Sequence, residues 1–359
     1  MISRDDVIYG FRFYLNRDPE NEAAIRHFID RCPNFQSLRS ALMNLPGHRA
    51  ICRWHRYPGG RYEVPAFMVE DGCARIRYRR EESSLLHPVS QLCTAGQFRT
   101  AVYEFWLNAR NGPARLHRKE WEWNYILQAL HCHAMLEPGK RGLGFAVGRE
   151  PLVAAMAARG CRIMASDAPL ALAERGSWVR TGQHATALQA LNAEGICPGE
   201  DFAARASFRS VDMNDIPADL RDFDFLWSSC AMEHLGSLEH GVRFVEESMK
   251  CLRPGGVSVH TTEFNLSSNT ATIETSEAAI YRKSDIEGLY LRLVEKGYEV
   301  APLNFSVGEQ TEDFHVDLPP YFETIPAGAA GPIHLKLLWQ DRDLSAVLTS
   351  IGLIVRRPY

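Results

Sequence analysis

Residues 142–167 read GLGFAVGREPLVAAMAARGCRIMASD, and their order decides the fold. A short apolar run comes first and turns on Gly144 and Gly148. Leu152, Val153, Met156 and Ala157 then recur at the spacing of one helix face. A second apolar run, Cys161 to Ala165, leads to an acid, Asp167. Strand, glycine turn, helix, strand, acid is the order of a nucleotide-binding α/β unit. The glycines let the backbone approach a ligand at the end of a strand. An acid at the end of the second strand can accept from both hydroxyls of a ribose. Gly144 and Asp167 lie 23 positions apart, close to the roughly 20 expected of a ribose-binding acid.

Two ligands suit such a turn, a dinucleotide and S-adenosylmethionine. A dinucleotide turn wants glycines in the pattern G-x-G-x-x-G, so that pyrophosphate sits on the helix start. Gly142 and Gly144 supply the first two, but Val147 stands at the third and Gly148 comes one residue late. Glu150 adds a negative charge at the helix start. A carboxylate there repels phosphate and suits a ligand with an ammonium and a sulfonium. The turn therefore favours the methyl donor, with a purely structural turn as the bland alternative.

Toward the C-terminus the alternation continues. Ala206 to Val211 reads as a third strand ending in Asp212-Met213, an acid and an apolar neighbour suited to an adenine ring. Phe223 to Trp227 is apolar throughout, as a buried parallel strand is, and leads to Ser228, Ser229, Glu233 and His234. A helix through Val242, Phe244, Val245 and Met249 follows. Arg253-Pro254-Gly255-Gly256 is expected to turn into a fifth strand, Val257 to His260, with Glu263 beyond it. Ile286 to Val294 reads as a helix, and Tyr298 to Val300 as a strand. His334 to Leu338 and Leu353 to Val355 read as a closing antiparallel pair. The long segment before that pair holds His315, Asp317 and Tyr321, and long loops over a strand-end crevice are often functional.

Toward the N-terminus, residues 1–50 read as a small helical unit. Val7, Ile8, Phe11, Tyr14 and Leu15 form one face, Pro19 fits the first turn of a second helix, and Ser37 is placed to cap a third. Residues 51–95 are rich in Arg, Pro and Gly and read as a linker or hairpin region, with strands at Phe67-Met68-Val69 and Ala74 to Tyr78. Residues 96–359 make the main domain with its acceptor-side loop. Its first helices are aromatic (Trp106, Trp121, Trp123, Tyr125) and read as core.

At 359 residues the chain exceeds one average domain. A net charge of −4 argues against a nucleic-acid partner. The chain has no apolar run long enough for a membrane span and no signal-peptide start, since Asp5 and Asp6 stand near the N-terminus. Nine cysteines without a C-x-x-C pair read as reduced thiols of a cytoplasmic protein. With no chelate spacing in view, no metal is expected.

The series Gly144…Gly148, Asp167, Asp212-Met213, Asp224…Glu233-His234 and Leu252-Arg253-Pro254-Gly255-Gly256 resembles class I S-adenosylmethionine-dependent methyltransferases over residues 138–305. The resemblance implies a Rossmann-like α/β sheet, mostly parallel with an antiparallel closing strand, here with an N-terminal helical extension. The stretches DFLWSSCAMEHLGS, HTTEFNLSSN, HLKL and TSIGLIV further resemble a bacterial group found beside glycosyltransferases. LNRDPE, residues 15–20, resembles the turn of helical repeats found beside glycan-modifying enzymes. By association these imply a sugar or glycan acceptor, and either a homo-oligomer or contact with glycosyltransferases as the partner arrangement.

Carried onto this chain, the family's pattern gives Gly144, Phe145, Ala146 and Gly148 to the methionine part of the donor. It gives Asp167 and Ala168 to the ribose, Asp212 and Met213 to adenine, and Ser228 and Ser229 to the floor beneath. The acid usual at the end of the first strand is replaced by Gly144, and the first glycine of the turn by Ala146. Glu150 is therefore the candidate partner of the donor's ammonium. The expected reaction is O-methylation with His234 as general base, Glu233 orienting it, and His260 and Glu263 as second choices. The alternatives are N-methylation of an amino sugar or small amine, and a methyltransferase-like scaffold that binds no donor.

Overall fold

The computed structural model describes residues 2–15, 18–34, 37–38, 41–42, 61–175, 178–180, 182–185, 187–275, 277–323, 329, 331–341 and 344–359. The chain divides into two compact units, Met1–Pro58 with Gln340–Ser345, and Gly59–Trp339 with Ala346–Tyr359.

In the first unit, α1 (Arg4–Leu15) and α2 (Glu22–Arg31) enclose a small core of Val7, Phe11, Ile25, Phe28 and Cys32. Phe11 and Phe28 meet edge to face at 5.4 Å. Pro19 does not open α2. Asn21 caps it, its Oδ1 accepting from Ala24 N at 2.9 Å, so the proline lies outside the helix. The side chains of Tyr14 and Leu15, much of the expected third helix and residues 51–60 lie outside the described residues.

The second unit is built on a mixed sheet. Its strands are β1 (Arg141–Phe145), β2 (Arg162–Asp167), β3 (Ala206–Ser210), β4 (Phe223–Ser229), β5 (Leu252–Asn265), β6 (Glu299–Val300), β7 (Leu337–Asp341) and β8 (Leu344–Arg356). Their order is β3-β2-β1-β4-β5-β8-β7, with β6 also on β8. The pairs among β1 to β5 are parallel, and β8 runs antiparallel to β5 from Leu348↔Asn265 to Arg356↔Val257. This is the expected Rossmann-like α/β sheet with an antiparallel strand at its closing side.

The strands alternate their side chains between two faces. Phe225, Trp227, Val257 and Val259 face a large apolar core with α3 (Ala101–Ala109), α4 (Arg118–Cys132) and α5 (Leu152–Ala158). Trp121 and Tyr125 of α4 stack at 4.8 Å within it. On the other face α8 (Leu238–Ser248) places Phe244 edge to face with Phe145 of β1. Between α5 and α8 in sequence lie α6 (Leu170–Arg175) and α7 (Gly199–Arg205), and α9 (Lys283–Glu295) follows β5.

Four local expectations are corrected. Phe67-Met68-Val69 is a helical turn opened by Pro65. Ala74 to Tyr78 is not a strand: Ile76 N turns back to Cys73 O, and Arg77 bonds to Val300 O and Tyr290. Arg253 to Gly256 does not separate the helix through Val242 and Met249 from a short strand. It is taken into β5 as an irregularity against β4, where the pairing shifts from Phe223↔Leu252 to Phe225↔Val257, and Gly255 has φ +77°. His334 leaves the closing hairpin altogether. It belongs to a two-residue strand parallel to Leu116-His117.

Candidate active site

The parallel strands β1, β2, β3 and β4 end on one rim, and the turn after β1 is the tightest point there. Gly144 is fixed by packing, since a Cβ in its place would collide with Trp227 and Val147. Ala146 and Gly148 both have left-handed backbones, φ +47° and +51°. The glycine is at ease there, but Ala146 is strained. Glu150 N bonds to Val147 O, and α5 begins two residues later.

Asp167 ends β2 and faces this rim with 6% of its surface exposed. Its Oδ1 accepts from Ala168 N at 2.8 Å and its Oδ2 from Ala185 N at 2.9 Å. Burial pushes its carboxyl up, against the pull of these amides. The Gly148 amide pulls the same way, and since a carboxylate offers about four acceptor positions, acceptor capacity remains. The segment carrying Ala185 lies across the turn: Gln183 O is 2.8 Å from where a Cβ on Gly148 would sit, and His184 Nε2 donates to Ala168 O at 2.8 Å. Asp212 follows β3 half-buried, with its Oδ1 holding Asn214 N at 2.8 Å, and Met213 is buried.

Glu150 is one of several incompletely satisfied groups of the rim. Its Oε2 is buried and has no hydrogen-bond partner among the described residues. Burial raises its carboxyl to about 7, while Lys119, Trp123 and Ser229 pull it down. Glu122, one helical turn along α4 from Lys119, has the opposite character. Its Oε1 accepts from Ser350 Oγ at 2.6 Å and Cys230 Sγ at 3.1 Å. Its Oε2 accepts from Ser229 Oγ at 3.2 Å, Thr261 Oγ1 at 3.0 Å and Lys119 Nζ at 3.3 Å. Although burial opposes it, these donors with Arg118 and Lys119 hold the Glu122 carboxyl at about 2. Two buried carboxylates flanking one lysine are thus driven apart, one firmly ionised and one poised near neutrality.

The four candidate catalytic groups are divided between the faces of the sheet. Glu263 shares the α4 face and is ion-paired with Arg118. His260 points to the α8 face. It is fully buried, with its Nδ1 2.8 Å from Ser228 Oγ and its ring edge to face with Phe244 at 5.5 Å. Burial lowers it to about 3, so the ring is neutral and enclosed. Glu233 is also fully buried, and its Oε2 accepts from Thr262 Oγ1 at 2.9 Å. Its Oε1 has no hydrogen-bond partner among the described residues, so no hydrogen bond there joins it to His234, which acts on it through charge alone. That ring donates from Nδ1 to Glu277 O at 2.7 Å and meets Trp178 edge to face at 5.8 Å. Its Nε2 has no partner among the described residues.

Two groups of rim residues were not foreseen as groups from sequence, although Asp317 was expected in a functional loop. Arg118, Lys119 and Glu122 sit on a helix whose aromatic content reads as core. The signal available was three charges at adjacent and one-turn spacing on that buried helix. The second group is His117, Asp317, Phe322 and His334. His334 Nδ1 lies 2.6 Å from Asp317 Oδ2, and its ring stacks on His117 at 4.7 Å and lies 4.6 Å from Phe322. Among the described residues no group of three or more His, Cys, Asp or Glu side chains is placed to hold a metal ion. No described helix is long and apolar enough to cross a membrane.

This sheet order, with a glycine turn after β1 and acids following β2 and β3 on one rim, is that of an α/β protein with a crevice at its strand ends. Residues 143–260 match the family model described as a methyltransferase domain, which spans β1 to β5. Over those residues the chain matches a methyltransferase domain, for which S-adenosylmethionine is the cofactor. No curated protein matches the sequence. Among solved structures it is similar to magnesium protoporphyrin IX methyltransferase of Synechocystis PCC 6803, at 12% identity over 72% of this chain and 96% of that one, TM-score 0.37. It is similar to phosphoethanolamine N-methyltransferase 2 of Haemonchus contortus, at 18% identity over 55% of this chain and 41% of that one, TM-score 0.36. A Galdieria sulphuraria protein described as a sarcosine dimethylglycine methyltransferase shares 17% identity over 51% of this chain, TM-score 0.34. The chain spans 60% of that protein's length. At such scores these likenesses are weak, and the family match carries the assignment.

The rim fits this cofactor on its own chemistry. The orphaned Glu150 oxygen suits the ammonium, Lys119 beside it suits the carboxylate of the same zwitterion, and Asp167 keeps free acceptor positions for a ribose.

Proposed function

We propose that the protein transfers a methyl group from S-adenosylmethionine to a hydroxyl of a sugar or glycan acceptor. The bound donor supplies an electrophilic methyl on a sulfonium, so the protein's contribution is placement and the handling of one proton. Glu150 and Lys119 hold the amino-acid end, Asp167 with Ala168 the ribose, and Asp212 with Met213 the adenine, over the floor of Gly144, Phe145, Ala146, Gly148, Ser228 and Ser229.

The observation that supports a sugar is the composition of the rim beyond β4 and β5. There the Arg118–Glu263 pair offers fixed donors and acceptors. Phe322 is 48% exposed and offers an aromatic face within the same ring cluster as His117 and His334. A pyranose has an apolar C–H face and a polar hydroxyl edge, and this rim offers a surface to each. A hydroxyl must lose its proton as it is methylated, and a rim histidine takes it. His260 and Glu233, both enclosed, are assigned structural roles, and His234 remains open on Nε2.

Incubation with methyl-labelled donor and a panel of free hexoses, hexosamines and nucleotide hexoses tests this reading. Label in an alkali-stable methyl ether is the expected product. Label only on the hexosamine nitrogen, or none at all, would overturn the hydroxyl assignment.

A further inference from the structure

We propose that His334, oriented by Asp317, is the base that takes the proton from the acceptor hydroxyl; this rests on the O-methylation reading above.

The sequence places His334 in an apolar stretch that reads as a closing strand. The fold instead pairs Ile333 with Leu116 and His334 with His117 in parallel register. His117 caps α4, its Nδ1 accepting from Lys119 N at 3.0 Å, and the next residues on that helix are Arg118 and Lys119. Arg118 reaches Glu263 on β5 and Cys230 just past β4, the latter at 3.5 Å. His334 is thereby held where the acceptor-side segment meets the ends of β4 and β5.

The ring has the attributes of a base. Its Nδ1 lies 2.6 Å from Asp317 Oδ2, which fixes the proton on Nδ1 and leaves Nε2 as the ring's acceptor. Nε2 has no partner among the described residues. Asp317 is itself fixed, because its oxygens also accept from Phe322 N at 3.2 and 3.3 Å. Tyr321 is tied by its hydroxyl to Leu338 O at 2.9 Å. Tyr321 and Phe322 both hold left-handed backbones, φ +53° and +62°. Two consecutive non-glycine residues in that region are strained, and such strain concentrates at functional sites.

The charges facing His334 are Asp317 and Glu263, which favour its charged form, and Arg118, which opposes it; the His117 and Tyr321 rings complete its surroundings. Burial outweighs the carboxylates and keeps His334 below the ordinary histidine value. His117 beside it is lowered to about 3 by burial and by His334. His334 is therefore neutral when an acceptor arrives.

The step balances as follows. The acceptor oxygen forms a bond to the methyl carbon as Nε2 takes the hydroxyl proton. The electrons of the broken carbon–sulfur bond go to sulfur, giving a neutral thioether. The imidazolium is stabilised by Asp317 and later gives its proton to solvent. Asp317 is a positioning residue in this scheme.

The test uses the full chain. Nitrogen NMR on histidine-labelled protein should show His334 neutral at pH 7 with its proton on Nδ1, and Asp317→Asn should redistribute that proton between the two nitrogens. With the hexose and nucleotide-hexose panel, His334→Ala should lower kcat by at least ~100-fold, the lower range for a lost general base. Its residual rate should rise with pH, while affinity for S-adenosylhomocysteine stays within a factor of two or so. A His334→Ala protein that retains parental kcat, or a His334 ring that is charged at pH 7 or protonated on Nε2, would overturn the proposal. A parent silent on the whole panel would count against the sugar acceptor, and the NMR result would still decide the dyad.

Discussion

The two faces of the sheet at the β4–β5 rim are built from opposite materials. On the α8 side, Ser228 and His260 are enclosed beside Phe244, and His260 is driven to about 3 with its Nε2 buried and unpartnered. On the α4 side, Glu122 is equally buried yet held at about 2 because Arg118, Lys119 and four hydroxyl or thiol donors surround it. Adjacent residues of one strand, His260 and Thr261, are divided between these environments by the period of the β-strand. A titratable group on the apolar face is left neutral, and a group on the polar face is held ionised. Proximity in sequence to the end of β5 is therefore a poor guide to chemistry, and the face is a better one.

The largest effect expected is at Glu122. Truncating it to Ala strands Arg118 and Lys119 without their shared partner, which costs about 3–5 kcal/mol when a buried pair is broken. Denaturant unfolding at neutral pH measures it, and a loss below about 1 kcal/mol would mean the polar face is solvated rather than built.

Glu150→Gln should weaken S-adenosylhomocysteine binding by roughly tenfold to a hundredfold, the worth of ~1.5–3 kcal/mol for a hydrogen bond to a charged group. The pH dependence has a definite sign. The folded Glu150 carboxyl lies near about 7, above its ordinary value. Its protonated form is therefore favoured in the free protein, and the stability it contributes is lost as pH rises toward 7. The ionised form is the ammonium's partner, so affinity in the parent should rise with pH up to about 7 and then level. The Gln variant should be flat over the same range, and a parallel rise in both proteins would place the ammonium elsewhere.

The smallest effect is expected at His260. Replacing it by Leu removes a buried nitrogen without a partner along with the bond to Ser228, so stability should shift by about 1 kcal/mol or less. The pH profile of turnover should not move. A profile that loses an inflection in this variant would make the α8 face catalytic and reverse the comparison.

Much of this frame was legible in the sequence. The strand–turn–helix–strand order from Gly142 to Asp167 and the apolar run of β4 carry strong local patterns, and both formed where expected. The rim was legible only where it sits on those elements. His334 was hidden because its surroundings are set by a pairing with His117 more than two hundred residues away. Ala74 to Tyr78 alternates like a strand but spends its arginines on Glu295, Tyr290 and Val300 O. Glu122 was hidden by its neighbours: it stands between two tryptophans in a stretch that reads as core, and nothing in the helix shows that Ser350 and Thr261 will meet it from other strands. Residues whose role depends on distant strands leave only a faint local mark.

The claim on which the rest stands is that the β1–β2 rim grips an adenosine through Asp167. Calorimetric titration of the parent and of Asp167→Ala with S-adenosylhomocysteine tests it most directly. The parent should bind, and the variant should bind at least roughly tenfold more weakly, as expected when ribose hydroxyls lose a charged acceptor. Equal affinity in the two proteins, or no binding by the parent at millimolar ligand, would contradict it.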